Sequence, residues 1–427
     1  MECPIEIHID GGWRRIGSWI PQADSERLGI AGSGRWSYEM DWVLDHLDRP
    51  WATVSVALPL SLDSIALPHW PAFLLDLLPA GPARDRWLAL LGLRNGPAAD
   101  WPLLLHAGRA PVGNLRLAHA RQWKPEFVRG FTRQEVLDHS GHFLEFMREA
   151  QQIQFGARND SPFSAADTQG AAPKYLLTED ERGLWWAEGT LPDERCRKFW
   201  LVKFPRGETR IDRTILQAEC SCLEIARSWE ISCQEPLHWE KDCLFVPRFD
   251  RVIQSSGVLR LGLESLCSSL GVAEFGHDFL HEELCEAIAK FSTDPAADLL
   301  EYVSRDVLNL ALANSDNHAR NTAFLKDGAS VRLSPLYDIA PMELDPEGIR
   351  RAVRWNGEFP SRPDWSCVAT VLGRWMDREL VVDRLHALAN RVRELPRTAN
   401  AFQLPDLVLE HCRPRWERLA ADLEKCA

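Results

Sequence analysis

The most informative segment of this sequence is Asn314-Ser315-Asp316-Asn317-His318-Ala319-Arg320-Asn321, which follows the apolar run Val307 to Ala313. Asp316 and Asn321 stand five positions apart, which is the D-x-x-x-x-N spacing of a kinase catalytic loop. The chemistry explains this spacing. A carboxylate has to accept a hydroxyl proton, while an amide oxygen one short loop away holds a metal ion on the phosphates.

The loop motif taken alone has a second interpretation. A polar turn that ends an apolar helix would contain the same residue types, and about one such Asp–Asn pair is expected by chance in a chain of this length. His318 could be a metal ligand, but no second histidine at ligand spacing joins it, so we expect an ATP contact instead. From this motif alone, a catalytic loop for phosphoryl transfer and a simple polar turn are equally good interpretations.

A second acid favours the catalytic interpretation. Leu333-Ser334-Pro335-Leu336-Tyr337-Asp338-Ile339 places Asp338 in an apolar segment, one hairpin length downstream of the loop. A carboxylate is costly to bury without a partner, and a magnesium ion is a suitable partner. The alternative is an aspartate that caps a turn before Pro341.

Two lysines upstream are candidates for phosphate contacts. Lys203 ends the apolar strand Phe199 to Val202, as the strand lysine of kinases does, although both faces of this strand are apolar and the pattern does not give the direction of the side chain. Glu219, on the next predicted helix, stands where a kinase places the partner of that lysine. Lys174 follows a short loop from Gln169 to Pro173, whose backbone N–H groups could also bind phosphate.

Composition limits the class of protein. The chain has 427 residues, 45% hydrophobic and 26% charged, which is ordinary for a globular protein. We expect neither a membrane span nor a signal peptide, and the eleven scattered cysteines indicate reduced thiols in the cytoplasm. A net charge of −13 repels phosphate backbones, so we expect DNA contact only through a basic partner.

The pattern along the chain predicts an α+β protein in three domains. Residues 1–122 form an N-terminal α+β subdomain, with a hairpin over Ile5 to Ile20, a strand over Val54 to Leu60 and a short helix over Phe73 to Leu78. Residues 123–262 form a β-rich lobe with strands near 175–177, 184–187, 199–204 and 244–249 and a helix over 216–229. Residues 263–427 form an all-helical lobe, whose last helix we expect to be broken or kinked at Pro414. The two lobes together predict a kinase-like fold.

These segments together resemble the HipA kinases of bacterial toxin–antitoxin systems. The family's motifs occur in the family's order over nearly the whole chain. They are the N-terminal segment Phe73 to Pro82, the phosphate loop Gln169 to Lys174, the hinge Val246 to Arg251, the catalytic loop Asn314 to Asn321 and the metal-binding segment Leu333 to Ile339.

The resemblance implies roles for individual residues and two cofactors, ATP and Mg²⁺. Asp316 would be the catalytic base, and Asn321 and Asp338 would complete the catalytic set by holding magnesium. The nucleotide would be bound by Lys203, Lys174, Gly170, Ala171, His318 and the backbone around Phe249.

The resemblance also implies partners. The substrate would be a cellular protein modified on serine or threonine, and an aminoacyl-tRNA synthetase is one candidate. A small basic helix-turn-helix antitoxin would supply the affinity for DNA. Two residues depart from the family pattern: Asp167 stands where the phosphate loop commonly carries a self-phosphorylated serine, and Pro247 stands where the hinge is commonly acidic. We expect Asp167 to weaken self-inactivation.

Two other functions compete with a HipA-type protein kinase. A small-molecule phosphotransferase shares the Asp–Asn spacing, but its loop usually reads H-G-D, whereas this one reads Asn314-Ser315-Asp316. A catalytically weak nucleotide-binding partner or co-repressor subunit would fit the altered Asp167 and Pro247. Every group needed for phosphoryl transfer is present, which favours the kinase.

Overall fold

The computed structural model describes residues 2–23, 25–49, 51–107, 112–118, 129–143, 174–255, 257–327, 330–359 and 361–426. Contacts divide the chain into two compact units. The first unit comprises Met1–Phe204, Phe245–Gly276 and Leu325–Ala329, and the second comprises Pro205–Leu244, His277–Phe324 and Ser330–Ala427. A division by contacts does not test the three sequence-based domains, which stay a prediction.

The strands are short, and those of the first sheet pair antiparallel. In chain order they are β1 Cys3–Ile9, β2 Gly12–Pro21, β3 Gly34–Tyr38, β4 Ile65–Leu67, β5 Leu115–Leu117, β6 Lys174–Asp180, β7 Trp185–Ala187, β8 Cys196–Lys203, β9 His238–Glu240, β10 Cys243–Pro247, β11 Arg251–Gln254, β12 Gly257–Arg260, β13 Gly262–Ser265, β14 Phe279–Leu280, β15 Ala323–Lys326, β16 Val331–Leu333 and β17 Val353–Arg354.

The long helices lie in the second unit. In chain order the described α-helices are α1 Ser25–Leu28, α2 Met40–His46, α3 Phe73–Leu77, α4 Gly81–Leu91, α5 Asp100–Ala107, α6 Arg133–Leu137, α7 Arg210–Ser228, α8 Leu266–Ser269, α9 His281–Phe291, α10 Pro295–Ala311, α11 Trp365–Leu372, α12 Arg378–Ala401 and α13 Asp406–Glu424. Antiparallel sheets combined with these helices give the predicted α+β class. None of the described helices is long and apolar enough to cross a membrane.

The first unit is built on a five-stranded sheet of order β4-β3-β2-β1-β5. Its first two strands form the predicted hairpin, in which Ile9 pairs with Gly12 and Gly11 takes a φ of +77°. Glycine suits this left-handed position because it has no Cβ to clash. Three tryptophans, Trp19, Trp36 and Trp70, are fully buried against the sheet and form much of its core.

The predicted strand over Val54 to Leu60 is wrong. The Ser55 hydroxyl accepts a hydrogen bond from the Ala57 amide at 3.1 Å, and the Glu264 carboxylate accepts one from Val56 N at 3.0 Å. These two side chains satisfy backbone groups that a strand would pair with a neighbouring strand, so the segment turns instead.

A second sheet in the first unit has the order β7-β6-β8-β10. Strands β6 and β8 run antiparallel, and Lys174 is the direct register partner of Lys203. Directly opposite residues in an antiparallel pair share one face of the sheet. The fold therefore brings the two predicted phosphate-binding lysines together.

The second unit is mainly helical, with α10, α12 and α13 packed on one another. Short strands β14, β15, β16 and β17 interrupt the region that we predicted as all-helical. The last helix is not broken at Pro414, because α13 runs from Asp406 to Glu424. Cys412 and Trp416 are buried on either side of the proline, so packing compensates for the lost backbone hydrogen bond.

A capping box starts helix α7. Thr209 Oγ1 accepts from Asp212 N at 3.1 Å, and Asp212 Oδ2 accepts from Thr209 N at 3.2 Å. We expect Thr209→Ala to lower the free energy of unfolding by about 1 kcal/mol, measured by urea denaturation. Thr370→Ala is the matched control, since that hydroxyl only donates to a carbonyl within its own helix and its loss should have almost no effect. An unchanged stability in Thr209→Ala would contradict this assignment.

Candidate active site

A polar pocket lies in the second unit, where the loop after α10 meets the segment after β16. Its walls include Asp316, Asn321 and Asp338, the three residues predicted to carry catalysis. The far wall is formed by charged and polar side chains of α9 and α10, which are His281, Tyr302, Arg305 and Asp306. The structure thus places the two separate motifs around one cavity.

The loop that carries Asp316 leaves α10 through a sharp turn. Ala313 takes a φ of +58°, a left-handed conformation that is strained for a residue with a Cβ. Asn314 N then donates to Asn309 O at 2.9 Å, and its side-chain oxygen accepts from Asp316 N at 3.2 Å. This turn directs the chain away from the helix and fixes the backbone at the proposed base.

Asn321 closes the loop five residues later. Its Nδ2 donates to the carbonyl of Asp316 at 2.8 Å, and its backbone N donates to His318 O at 2.8 Å. Because the amide nitrogen is bound to the chain, the amide oxygen is the atom that suits a cation. Position 321 therefore combines a structural bond with an oxygen that could ligate a metal ion.

Asp338 reaches the pocket from a segment held by two neighbours. Leu336 N donates to Ser232 O at 2.7 Å, and the Tyr337 hydroxyl donates to Arg320 O in the catalytic loop at 2.8 Å. Asp338 itself has a φ of +57°. Such strain persists only where the surroundings determine the backbone, and it is common at functional sites. The sequence did not predict that Tyr337 joins the two motifs through its hydroxyl, although Tyr337 lies within the Leu333 to Ile339 motif.

His318 lies beside the proposed base. Its Nε2 is 3.5 Å from Asp316 Oδ1, and the two side chains are 16% and 17% exposed. Both groups are thus half-enclosed yet accessible to a ligand. The sequence-based expectation of a nucleotide contact at His318 stays a prediction.

The predicted nucleotide-binding residues of the first unit have contrasting surroundings. Lys203 is buried, at 4% exposure, so it is not the solvent-facing lysine that an isolated strand lysine usually is. Lys174 is half-buried at the start of β6. Gly170 and Ala171 lie outside the described residues. In the second unit, Glu219 is buried on α7.

A buried charge cluster is formed by residues that flank Phe249 in the hinge segment and by Glu188. Arg248 Nε donates to Asp250 Oδ1 at 2.8 Å, and Arg251 Nη1 donates to Asp250 Oδ2 at 2.9 Å. Glu188 pairs with both arginines. Burial by itself would raise the pKa of Asp250, but the two guanidinium groups outweigh it and hold that pKa well below its usual value.

The cluster ties the hinge to the N-terminal sequence. Gly113 N donates to Asp250 Oδ2 at 2.7 Å, and Gly113 O accepts from Arg251 Nη1 at 2.8 Å. Gly113 has a φ of +85°, and a Cβ there would come within 3.0 Å of Leu263 N. A residue other than glycine would therefore weaken this junction.

The donor set suits magnesium. Among the described residues, no group of three or more His, Cys, Asp or Glu side chains could hold a metal ion without other ligands. Magnesium commonly binds one or two carboxylates together with waters and substrate phosphates. Asp338 and the Asn321 amide oxygen, at one pocket, match that kind of site.

The comparisons with known proteins agree with the motifs. A family model described as the HipA-like C-terminal domain matches residues 166–398, and one described as the HipA N-terminal domain matches residues 27–118. The first of these covers more than half of the chain. The chain belongs to the HipA family. The predicted family is thereby confirmed.

Two similar proteins give further information on the fold and on the sequence of this HipA-family protein. It matches a chain of the Shewanella oneidensis MR-1 toxin–antitoxin complex of HipA, HipB and operator DNA with a TM-score of 0.69, 19% identity, and coverage of 98% of this chain and 96% of that one. That likeness shows the fold. A stretch of 104 residues is 33% identical to "Putative kinase Y4mE" of Sinorhizobium fredii, covering 22% of this chain and 24% of the relative.

Proposed function

We propose that this HipA-family protein is an ATP- and magnesium-dependent serine/threonine protein kinase of the toxin type, which inhibits growth by phosphorylating a cellular protein. One observation carries the proposal. Asp316, Asn321 and Asp338, taken from two sequence motifs, line a single pocket. A carboxylate base and a metal-binding pair around one cavity are the groups that phosphoryl transfer needs.

The proposed roles follow from the chemistry of each group. Asp316 accepts the proton of the substrate hydroxyl as the hydroxyl oxygen bonds to the γ-phosphorus of ATP, and the bond to the leaving group ADP breaks. Asn321 and Asp338 would hold magnesium, which, when bound, neutralises charge on the phosphate oxygens. The hydrogen bond from Asn321 to the Asp316 carbonyl sets the base and the metal-binding amide in one rigid loop, so that the hydroxyl can be positioned in line.

The paired lysines support the nucleotide side of the proposal. Lys174 and Lys203 occupy directly opposite register positions, so they lie on the same face of the sheet. Two ammonium groups on one face suit the phosphates of a nucleotide, which accept charge-assisted hydrogen bonds. We propose that both ammonium groups contact the phosphates of ATP, together with Gly170, Ala171 and His318, and that backbone near Phe249 holds the adenine.

Lys203→Met tests the lysine pair. We expect the Kd for ATP to rise by about 10- to 100-fold, because charge-assisted hydrogen bonds contribute roughly 1.5–3 kcal/mol each. Isothermal titration with a non-hydrolysable ATP analogue measures the change. Lys198→Met is the control, since Lys198 is exposed on the same strand. Equal affinities of the two variants would remove Lys203 from the nucleotide site.

The partners are proposed from the family. The Shewanella relative was solved with HipB and operator DNA, so we propose a small basic antitoxin for this chain as well. With a net charge of −13, the chain would reach DNA only through that partner. We propose that the kinase acts in the cytoplasm on a protein substrate, with an aminoacyl-tRNA synthetase as one candidate.

The direct test uses γ-labelled ATP and magnesium with the purified protein and a bacterial lysate. A kinase labels itself or one lysate protein, and the label identifies the target. Binding of magnesium–ATP without transfer would instead establish a nucleotide-binding partner subunit, and label on a small molecule would establish a small-molecule phosphotransferase.

A further inference from the structure

The residue next to the proposed base makes three hydrogen bonds to a distant part of the chain. Asn317 Oδ1 accepts from Ala352 N at 3.0 Å and from Val353 N at 3.2 Å, and Asn317 Nδ2 donates to Val353 O at 2.8 Å. The Asp–Asn spacing of the catalytic loop does not require an asparagine here, because position 317 supplies neither base nor metal ligand. The side chain therefore has a different task.

The three bonds define the position of the loop. An amide that accepts two N–H groups and donates to a carbonyl pairs with backbone as a neighbouring strand would, and this fixes both its rotamer and its distance. Because Asn317 is covalently next to Asp316, the backbone of the base is held against residues 352–353.

Residues 352–353, which form these bonds, belong to a segment that is held in place by buried ion pairs. Arg351 Nη2 donates to Asp306 Oδ1 at 2.6 Å, and Arg351 Nε donates to Glu358 Oε1 at 2.8 Å. The side chains of Arg351, Asp306 and Glu358 are 6%, 2% and 0% exposed. Burial by itself would raise the pKa of Asp306, but Arg351 and His281 keep it well below its usual value.

Aromatic contacts complete the anchor. Trp355 Nε1 donates to Asp306 Oδ2 at 2.8 Å, and the Trp355 ring stacks on His281 with centroids 4.7 Å apart. Glu358 Oε2 accepts from Trp355 N at 3.0 Å. The segment from Arg351 to Glu358 is thus fixed at both of its ends.

These contacts connect both sides of the proposed base to the same buried carboxylate, Asp306. Asp306 lies on α10, and α10 runs directly into the loop that carries Asp316. In that loop, Asn317 is hydrogen-bonded to residues 352–353. The neighbouring Arg351 donates a hydrogen bond to Asp306. Asp316 is therefore held from two directions, by the helix before it and by the 351–358 segment.

We propose that Asn317 is a positioning residue for phosphoryl transfer, which sets the location of the Asp316 carboxylate by binding the catalytic loop to the 351–358 segment. The proposal rests on the proposed kinase function for its effect on rate. The contact itself can be tested without any activity.

Asn317→Ala is the test. We expect kcat for protein phosphorylation to fall roughly 10²-fold, because a displacement of about 1 Å in a reacting group has effects of that order. The KM for ATP should change less than about threefold, since the base acts on the acceptor hydroxyl and not on the nucleotide. A general loss of structure would change both parameters and the melting temperature together.

Hydrogen exchange measures the contact directly. In Asn317→Ala, the amides of Ala352 and Val353 should exchange about tenfold faster, because their acceptor is gone. Asn317→Asp keeps an oxygen at the position of Oδ1, which accepts from both amides, so it should restore much of the protection at Ala352 and Val353. Asn356→Ala is the control, because Asn356 is exposed on the same segment and only its backbone N is hydrogen-bonded among the described contacts.

The outcomes separate the two proposals. Absence of transfer by the wild-type protein would remove the kinase function, while the exchange data would still decide whether Asn317 binds the segment. Normal kcat in Asn317→Ala, or unchanged exchange at Ala352 and Val353, would overturn the positioning role.

Discussion

Replacing Asp316 by asparagine is expected to lower the rate of phosphoryl transfer by about 10²- to 10⁴-fold while the fold remains intact. The change removes the group that accepts the hydroxyl proton but keeps its size. Asp316 N remains able to donate to Asn314, and the Asp316 carbonyl remains able to accept from Asn321, because both bonds use the backbone. Steady-state transfer of labelled phosphate measures the effect.

The matched control for this variant is Asp383→Asn. Asp383 is exposed on α12, so this substitution removes the same negative charge at a site outside the pocket. Its rate should equal that of the wild type. Magnesium–ATP binding and the melting temperature of Asp316→Asn should also stay close to wild type. Full activity in Asp316→Asn would exclude Asp316 as the base.

Removing Asp250 is expected to destabilise the protein by about 3–5 kcal/mol, the usual cost of breaking a buried ion pair from one side. Asp250→Ala leaves Arg248 and Arg251 buried with Glu188 as their remaining carboxylate partner in the cluster, and it also removes the acceptor of Gly113 N. Urea denaturation followed by tryptophan fluorescence measures the difference in the free energy of unfolding.

The same carboxylate predicts a dependence on pH. The folded-state pKa of Asp250 lies below its unfolded value of about 3.9, so its stabilising contribution is present above that pH and is lost as the pH falls towards the folded pKa. Asp250→Ala should lose this acid-sensitive contribution. Glu424→Ala is the control, because it breaks the exposed pair with Arg393 and should leave stability almost unchanged. Equal stabilities of both variants would contradict the cluster's role.

The features that could be predicted from the sequence depend on residues close to one another in the chain. The spacing of Asp316 and Asn321, the apolar segment around Asp338 and the strand that ends at Lys203 are each local, and local periodicity reports the element that carries a residue. The pairing of Lys174 with Lys203 was not predicted, because the register of β6 and β8 is visible only in the folded chain.

The features that sequence reasoning missed join distant positions. Asp306 and Arg351 are 45 residues apart, and Gly113 and Asp250 are 137 apart. Each member of such a pair looks like an ordinary charged or turn residue in its own segment, so only the folded chain reveals the partner. The failed strand over Val54 to Leu60 has the same origin, because its amide is bound by the distant Glu264.

The central claim is tested most directly by incubating wild-type protein and Asp316→Asn with γ-labelled and, separately, α-labelled ATP in the presence of magnesium and lysate. We expect the wild-type protein to transfer the γ label to serine or threonine of a protein and not to transfer the α label. Asp316→Asn should transfer almost no γ label. Magnesium–ATP binding without transfer of the γ label by the wild type would exclude a protein kinase, and equal transfer by both proteins would exclude Asp316 as its base.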